Sequence, residues 1–436
     1  MYVPELEAAT FEIPARYLED SGLVCTHESI VLFCRNEFAR QFRFLKETVM
    51  VQGCLGWILG APGCGKSSTA FAFLTSELDN RDWRFTWIHM EFSTVFCVSF
   101  DTNRSSAFKW GYDEVDSIKT FLRRDTGGKK HFVFLDGYCS VGPAARDCKK
   151  VSDVCENWLD QDRENYRLCK LCLMATRGKT NMDEDRRKRV AICRISSWTL
   201  DEYQEAFLQP EVAECYEDNL DSSMLKLSNQ KLEKIADKVE SKYYFAGGCA
   251  GYMFSYPTVD ILENTKEAIS ICADIYPYLT GEIGEQSVPA INRLLCTFWS
   301  EEGVSSEKTI LIVSSYAASE IALKQGPELM PRLAKILNSD FNPVVQGVLF
   351  EMWFFALIRR GDVVLSRKGE DVKFEKAKIK NLDPVSQIPV PSCSKIWFKP
   401  VKWNQGGYDA VHVDYDECLV SFIEVTNSSK HSLKLK

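Results

Sequence analysis

The clearest chemical signal in this 436-residue chain is the string GAPGCGKSS, which begins at Gly60. It matches G-x-x-x-x-G-K-[ST] at every fixed position, follows a strand-like apolar segment and opens a helix-like one. Glycines let backbone N–H groups converge on phosphate oxygens, and the helix N-terminus adds partial positive charge. We expect the lysine to contact the β- and γ-phosphates of ATP and the following serine to ligate Mg²⁺. The predicted nucleotide-binding residues of this loop are Gly60, Gly63, Gly65, Lys66, Ser67 and Ser68.

A P-loop also needs an acid for its magnesium ion, and HFVFLDG supplies Asp136 at the end of an apolar segment. A simple helix cap is the alternative interpretation. Hydrolytic P-loop proteins often place a glutamate directly after this aspartate to orient water, but here Gly137 follows. Glu91, at the end of WIHME, is a candidate substitute or a surface acid. Thr176 ends the next predicted strand, where it is either a γ-phosphate sensor or the start of a loop.

A second set of acids lies near the end of the chain. Asp409 and Glu424 stand beside two alternating apolar segments that predict a hairpin. Two carboxylates on such a hairpin can share a divalent metal ion that activates water and stabilises a pentacovalent phosphate. Glu351, in the apolar string VLFEMWFF, is the candidate third acid, because a buried carboxylate is costly unless it is paired or metal-bound. A position at the rim or cap of the helix is the alternative for Glu351.

These residues need a scaffold, and the pattern around the first site predicts one of the α/β class. Strand-like segments alternate with helical ones, which favours a parallel sheet with helices on both faces. Residues 28–49 have the apolar spacing of a helix. The predicted strands are CLGWILG and residues 85–90, 131–136, 171–176 and 189–198.

The pattern of helix-like and strand-like segments changes along the chain and predicts four parts. Residues 1–48 are expected to form an N-terminal helical leader, and 49–200 a P-loop NTPase core. Residues 201–340 read mostly as helices and are expected to form a lid or subdomain. Residues 341–436 begin with a strongly apolar helix, continue as extended segments, and predict a separate α/β domain.

Composition limits the class of protein. With 45% hydrophobic and 26% charged residues, the chain is typical of a globular protein with ample core. A net charge of −8 excludes a basic nucleic-acid coat protein, although residues 341–436 carry 14 Lys and Arg against 11 Asp and Glu, a local +3. The 17 cysteines are scattered, which favours reduced thiols in an intracellular protein, and the pair Cys169 and Cys172 is better explained as core than as a zinc or redox site.

Neither a membrane span nor a secretory signal peptide is expected. No run approaches 18 consecutive apolar residues. The first residues, MYVPELEAATFEIPARY, have neither a basic start nor an apolar h-region.

Several strings together resemble a known family. GAPGCGKSS, FLDG, YYFAGGCAGYMF, FEMWF, KPVKWNQGGYDAV and FIEVTNSSKHSLK occur in this order. Over roughly residues 30–436 the chain resembles the Crinkler effectors of oomycetes and chytrids and the related retrotransposon hot spot proteins of trypanosomes. The resemblance implies a P-loop ATPase domain followed by a nuclease domain of the restriction-endonuclease, PD-(D/E)xK, fold. It further implies delivery into a host cell, action in the host nucleus, and ATP, Mg²⁺, DNA and host nuclear proteins as partners.

The sequence departs from the family pattern in two places. Thr426 stands two residues after Glu424, where the nuclease superfamily typically has a lysine, so Lys430 is either the replacement or a tail lysine. In the family, the segment that corresponds to AGGCAGYMF often carries an arginine near the position of Gly251. This sequence has no arginine there, which argues against efficient ATP hydrolysis but not against ATP binding.

Three functions are compatible with these features. The leading hypothesis is an effector whose P-loop NTPase domain controls a metal-dependent DNA nuclease domain. The alternative is a non-catalytic ATP-binding switch whose C-terminal domain binds nucleic acid or a host protein. A nucleotide or small-molecule kinase is disfavoured by the long helical part and the further acid-bearing domain. The oligomeric state is left open.

Overall fold

The structure, a computed structural model, describes residues 8–23, 28–91, 93–101, 104–124, 127–140, 144–172, 182–221, 234–280, 292–300, 307–326, 328–329, 343–361, 363–367, 370–382, 394–400 and 408–425. The chain divides into two compact units. The first comprises the described parts of Met1–Glu217, Gly248–Phe254 and Ile283–Leu311, and the second those of Asp218–Gly247, Ser255–Glu282 and Ile312–Lys436.

The first unit begins with a small antiparallel sheet. Strand β1 (Thr10–Pro14) pairs with β2 (Ser29–Phe33), and the short helix α1 (Ala15–Leu18) follows β1. The helix predicted over 28–49 is therefore wrong for its first residues: α2 begins only at Asn36. The string SIVLF is a short apolar run that suits a strand as well as a helix, and pairing with β1 decides in favour of the strand.

A seven-stranded sheet forms the centre of the first unit, in the order β6-β5-β4-β7-β8-β3-β9. Strands β4, β7, β8, β3 and β9 are parallel, which confirms the predicted parallel-rich α/β sheet. The antiparallel strands β5 and β6 extend it at one edge and were not predicted. The bounds are β3 Leu55–Leu59, β4 Trp83–Met90, β5 Thr94–Asp101, β6 Arg104–Gly111, β7 Lys130–Tyr138, β8 Tyr166–Cys172 and β9 Val190–Arg194.

Helices cover both faces of this sheet, as predicted. On one face Phe132 and Phe134 pack with Phe71 and Phe73 of helix α3, and on the other the alternate β7 residues pack with helices α4 and α5. The helices of this unit are α2 Asn36–Arg43, continued by a π-helical turn at Phe44–Val51, α3 Lys66–Ser76, α4 Val115–Leu122, α5 Ala145–Leu159, α6 Met182–Arg187, α7 Leu200–Phe207, α8 Pro210–Tyr216 and α10 Ala250–Phe254.

The second unit combines helices with a smaller sheet. In the four-stranded sheet, of order β14-β15-β16-β17, the first pair is parallel and the other two pairs are antiparallel. Phe354 and Phe355 of helix α14 pack on Trp397 and Ala410 of the sheet. The elements are α9 Ile235–Ala246, α11 Thr258–Ile271, α12 Tyr276–Thr280, α13 Ser315–Gln325, α14 Pro343–Arg360, β12 Val363–Arg367, β13 Glu370–Phe374, β14 Ile379–Leu382, β15 Lys395–Pro400, β16 Ala410–Asp414 and β17 Leu419–Ile423.

The stretch 201–340 contributes to both units. Helices α7, α8 and α10 belong with the large sheet, whereas α9, α11 and α13 belong to the second unit. The stretch also holds two paired strands that were not predicted, β10 (Leu295–Ser300) and β11 (Glu307–Ile312). The predicted four-part division of the chain stays a prediction. Among the described helices, none is long and apolar enough to cross a membrane.

Candidate functional site

The P-loop joins a buried strand to a helix. All five residues of β3 are buried, and α3 begins at Lys66 directly after Gly65, whose φ of 98° only glycine adopts readily. The Lys66 side chain is buried inside the loop, where its ammonium donates hydrogen bonds to the carbonyl oxygens of Gly60 (2.9 Å) and Ala61 (2.8 Å). Ser68 lies in the first turn of α3 and is partly buried. The loop therefore has the strand-to-helix context that phosphate binding requires.

A buried arginine that was not predicted from the sequence binds the backbone of the P-loop. The Arg35 guanidinium donates to the carbonyl oxygens of Cys64 (2.9 Å) and Ser196 (2.6 Å), and it pairs with Glu202 at 3.0 Å. It is 5% exposed and lies over the Trp198 ring. Arg35 ties the P-loop to the segment after β9, and its short-range sequence context gives no signal of this role.

Cys249 and Ala250, both in the first unit, contact the P-loop. The backbone N–H of Ala250 donates to the carbonyl oxygen of Gly63 at 2.8 Å. A Cβ on Gly63, which has a φ of 75°, would collide with the Cys249 sulfur. Gly251 follows these residues, and a Cβ there would lie 3.9 Å from the Cys249 sulfur, an ordinary contact distance.

Strand order brings Asp136 to the P-loop. Only β8 separates β3 from β7, and the carboxyl ends of these parallel strands meet at one edge of the sheet. The Ser67 hydroxyl donates to Asp136 Oδ1 at 2.7 Å. A hydroxyl and a carboxylate are the oxygen donors that Mg²⁺ prefers, so these two residues fit the ion that a P-loop nucleotide carries.

The backbone explains why no glutamate follows Asp136. Gly137 has a φ of 78° and lies where the β7–β8 pairing shifts register. A Cβ there would collide with the carbonyl oxygen of Met90. Glu91 begins the connection to β5 at the same edge; it is exposed, and its carbonyl oxygen accepts a hydrogen bond from the Tyr112 hydroxyl at 2.6 Å.

His89 completes the cluster and was missed by sequence reasoning. It lies directly opposite Asp136 in the β4–β7 pairing, and its Nδ1 is 2.7 Å from Asp136 Oδ2. Burial lowers the pKa of His89, but the hydrogen bond and charge of Asp136 outweigh burial and leave that pKa above its ordinary value. A polar residue at the carboxyl end of the strand next to β7 was the available signal.

The remaining predicted residue of this site lies outside the described part of the chain. Thr176 was placed at the end of a strand over 171–176, whereas the described strand β8 runs from Tyr166 to Cys172. The strand thus begins earlier than predicted. Cys169 and Cys172, both on β8, are buried in the hydrophobic core.

In the second unit, strands β16 and β17 form the predicted hairpin. Ala410 pairs with Ile423, which places Asp409 opposite Glu424 at the end of the hairpin away from its turn. The Asp409 backbone N–H donates to the Ile423 carbonyl oxygen at 2.8 Å, and its Oδ2 accepts from the Val425 N–H at 2.7 Å. Thr426 and Lys430 lie outside the described residues.

Glu351 interacts electrostatically with both Asp409 and Lys399. Burial raises the pKa of Glu351 to about 7; the charge of Lys399 opposes this rise, and that of Asp409 adds to it. Lys399 is on β15, where its ammonium donates to the Ser319 hydroxyl at 2.6 Å and lies 5.6 Å from the Phe355 ring centre. Lys399 was missed because its relation to Glu351 depends on how helix α14 packs on the sheet.

The donors of the second site are fewer than a metal site usually offers. Within the described ranges, no group of three or more His, Cys, Asp or Glu residues is arranged to hold a metal ion. Glu351 interacts electrostatically with Asp409, and Asp409 lies opposite Glu424 in the hairpin, but these three acids do not form such a group. Their role as metal ligands stays a prediction.

Comparison with known proteins finds only weak structural similarity. No protein-family model and no curated protein matches the chain. The Aeropyrum pernix ORC1 protein in complex with DNA has a TM-score of 0.28 and 9% identity, over 75% of this chain and 99% of that one. Drosophila ORC bound to DNA has a TM-score of 0.26 and 11% identity, over 80% of each chain. Similarity this low carries no functional argument; the sheet order, the P-loop and the position of Asp136 identify a P-loop NTPase fold.

Proposed function

We propose that the first unit binds ATP with Mg²⁺ and that the bound nucleotide controls a metal-dependent nuclease activity of the second unit. One observation carries the nucleotide-binding half of the proposal: the 2.7 Å hydrogen bond between Ser67 and Asp136, beside a P-loop of complete sequence. A hydroxyl and a carboxylate brought together at a helix N-terminus are the donors that a magnesium nucleotide requires.

In this proposal ATP is bound more effectively than it is hydrolysed. Lys66 exchanges its two carbonyl partners for the β- and γ-phosphates, so its buried charge becomes neutralised by the ligand. Gly137 cannot carry a glutamate in its observed backbone conformation, which removes the usual residue that orients the attacking water. A long-lived ATP complex is more typical of a switch than of a motor that hydrolyses ATP rapidly.

The second unit is proposed to cleave phosphodiester bonds with Asp409, Glu424 and Glu351 as the acids. A divalent ion, when bound, supplies Lewis acidity and an activated water. The protonated fraction of Glu351 near pH 7 makes it able to give up or accept a proton, and Lys399 places positive charge where negative charge develops on phosphate. Lys399 takes the part for which Lys430 was the sequence-based candidate.

DNA as the substrate, and a host nucleus as the place of action, follow from the family resemblance and complete the proposal. In that setting the protein is a secreted effector with host nuclear proteins among its partners. The local +3 charge of residues 341–436 favours approach to a polyanion.

A non-catalytic ATP-dependent switch is the second candidate. One carboxylate oxygen of Asp409 accepts a backbone hydrogen bond from Val425, a structural use of the side chain that favours this candidate. In that case the second unit binds nucleic acid or a protein without cutting it.

Calorimetric titration with ATP and Mg²⁺ tests the first half of the proposal. We expect Lys66→Ala to weaken ATP binding at least about tenfold, which is about 1.4 kcal/mol. The matched control is Lys150→Ala, which removes a 47%-exposed lysine of α5 that pairs with Asp147. Equal affinity of Lys66→Ala and wild type would refute ATP binding at the P-loop.

Nicking of supercoiled plasmid tests the second half. The full-length protein is incubated with Mg²⁺ or Mn²⁺, with and without ATP, and compared with Lys399→Met. We expect Lys399→Met to lose cleavage and to keep ATP affinity, while the control Lys395→Met, an exposed lysine on the same strand, keeps both. Absence of cleavage by wild type under every condition would favour the non-catalytic switch.

A further inference from the structure

Asp136 is a buried carboxylate with two different partners. It is 3% exposed, and burial of a charged group is costly unless each oxygen is hydrogen-bonded. Oδ1 accepts from the Ser67 hydroxyl and Oδ2 lies against Nδ1 of His89, both at 2.7 Å. One oxygen is therefore directed toward the P-loop and the other away from it.

The imidazole of His89 is itself confined on several sides. Its ring packs against the backbone of Gly22, where a Cβ would collide with the ring carbons. The Phe96 ring lies 6.5 Å away, centre to centre, and the His89 side chain is only 17% exposed. A ring held in this way directs Nδ1–H at Asp136 and at no other acceptor that the described contacts include.

This confinement matters because carboxylates turn easily. The χ2 angle of an aspartate is broad, so a single hydrogen bond to Ser67 leaves the plane of the carboxylate free to rotate. Mg²⁺ demands nearly ideal octahedral geometry, which makes its affinity sensitive to how oxygen donors are oriented. Residues that orient a metal ligand from behind typically contribute about 10- to 100-fold to metal affinity.

We propose that His89 is the positioning residue of the magnesium site, holding Asp136 so that Oδ1 faces Ser67 and the ion. The inference rests on the proposed binding of ATP with Mg²⁺ and deepens it. His89 lies opposite Asp136 on the neighbouring strand β4, so it contacts the carboxylate from the side of β7. His89 does not touch the nucleotide in this assignment.

Three substitutions separate orientation from mere packing. His89→Phe keeps an aromatic ring beside Gly22 and removes the donor. His89→Asn removes the ring but keeps an N–H near the place of Nδ1, and His89→Gln puts its N–H near the place of Nε2 instead. ATP affinity is measured by calorimetry in EDTA and over a series of Mg²⁺ concentrations, which gives the apparent Mg²⁺ dissociation constant of the ATP complex.

We expect His89→Phe and His89→Gln to raise this constant by about 10- to 100-fold. His89→Asn should stay within about threefold of wild type, and ATP affinity in EDTA should be the same in all four proteins. In an Asp136→Asn background, His89→Phe should have no further effect, because both act on one carboxylate.

The outcomes distinguish this inference from the proposed function. If wild type shows no Mg²⁺-dependent gain in ATP affinity, the proposed function itself fails. If wild type shows the gain and His89→Phe and His89→Gln keep the wild-type constant, or His89→Asn is as damaging as His89→Gln, the positioning role is refuted while ATP binding stands. His89→Gln keeps the test decisive should His89→Phe fail to fold.

Discussion

Glu351→Gln should change how the stability of the second unit depends on pH. An unfolded glutamate ionises near pH 4.5, whereas burial raises the pKa of Glu351 in the folded protein to about 7. Between these values the unfolded state has released a proton that the folded state still holds, so stability falls as pH rises through this window and is constant above it. The gap from 4.5 to about 7 corresponds to about 3 kcal/mol as an upper limit.

The assay is urea denaturation at pH 4.5, 6 and 8 in EDTA, with hydrogen exchange of peptides from 343–360 to assign the transition to the second unit. Relative to wild type, Glu351→Gln should gain up to about 3 kcal/mol between pH 4.5 and 8. Glu375→Gln, which replaces an exposed glutamate of the same unit, is the control and should follow wild type. Parallel pH profiles of wild type and Glu351→Gln would refute the buried placement of this carboxyl group.

Magnesium extends the same experiment to function. If Glu351 takes part in a metal site, added Mg²⁺ at pH 8 should stabilise wild type, because binding favours the ionised carboxylate. Glu351→Gln should gain less. Equal gains would assign Glu351 a structural role.

Three further predictions concern single positions. Gly137→Ala should lower the free energy of unfolding without nucleotide by about 1–3 kcal/mol, because it strains a positive φ and meets Met90; an unchanged thermal midpoint would contradict the collision. His131 is buried and burial lowers its pKa to about 3, so wild type should lose stability as pH falls from 6.5 toward 3, and His131→Phe should flatten this loss in acid denaturation. Asp409→Asn and Glu424→Gln should each abolish Mg²⁺-dependent nicking with no added effect when combined; additive losses would argue against a shared ion.

The parts of the fold that could be predicted have strong local signals. The P-loop has fixed residues at fixed spacing, and it falls between a buried strand and a helix as expected. The apolar run that ends at Asp136 is long enough to mark a buried parallel strand. The hairpin of β16 and β17 follows from two alternating segments separated by a short polar turn.

The parts that were missed depend on pairing between distant segments. Strand β2 reads equally well as the start of a helix until β1 pairs with it. His89 and Asp136 are 47 residues apart and meet only because β4 lies beside β7. Lys399 approaches Glu351 only when α14 packs on the small sheet. Sequence patterns identify candidate chemical groups, but sheet order and helix packing determine which of these groups come into contact.

The most direct test of a magnesium nucleotide site at the P-loop is the effect of Mg²⁺ on ATP affinity in wild type and Ser67→Ala. We expect Mg²⁺ to tighten ATP binding to wild type, since Ser67 and Asp136 offer oxygen donors at 2.7 Å from each other. Ser67→Ala should bind ATP in EDTA as wild type does and should lose the Mg²⁺-dependent gain. Calorimetry that finds the same gain in Ser67→Ala, or none in wild type, would contradict a magnesium nucleotide site at this P-loop.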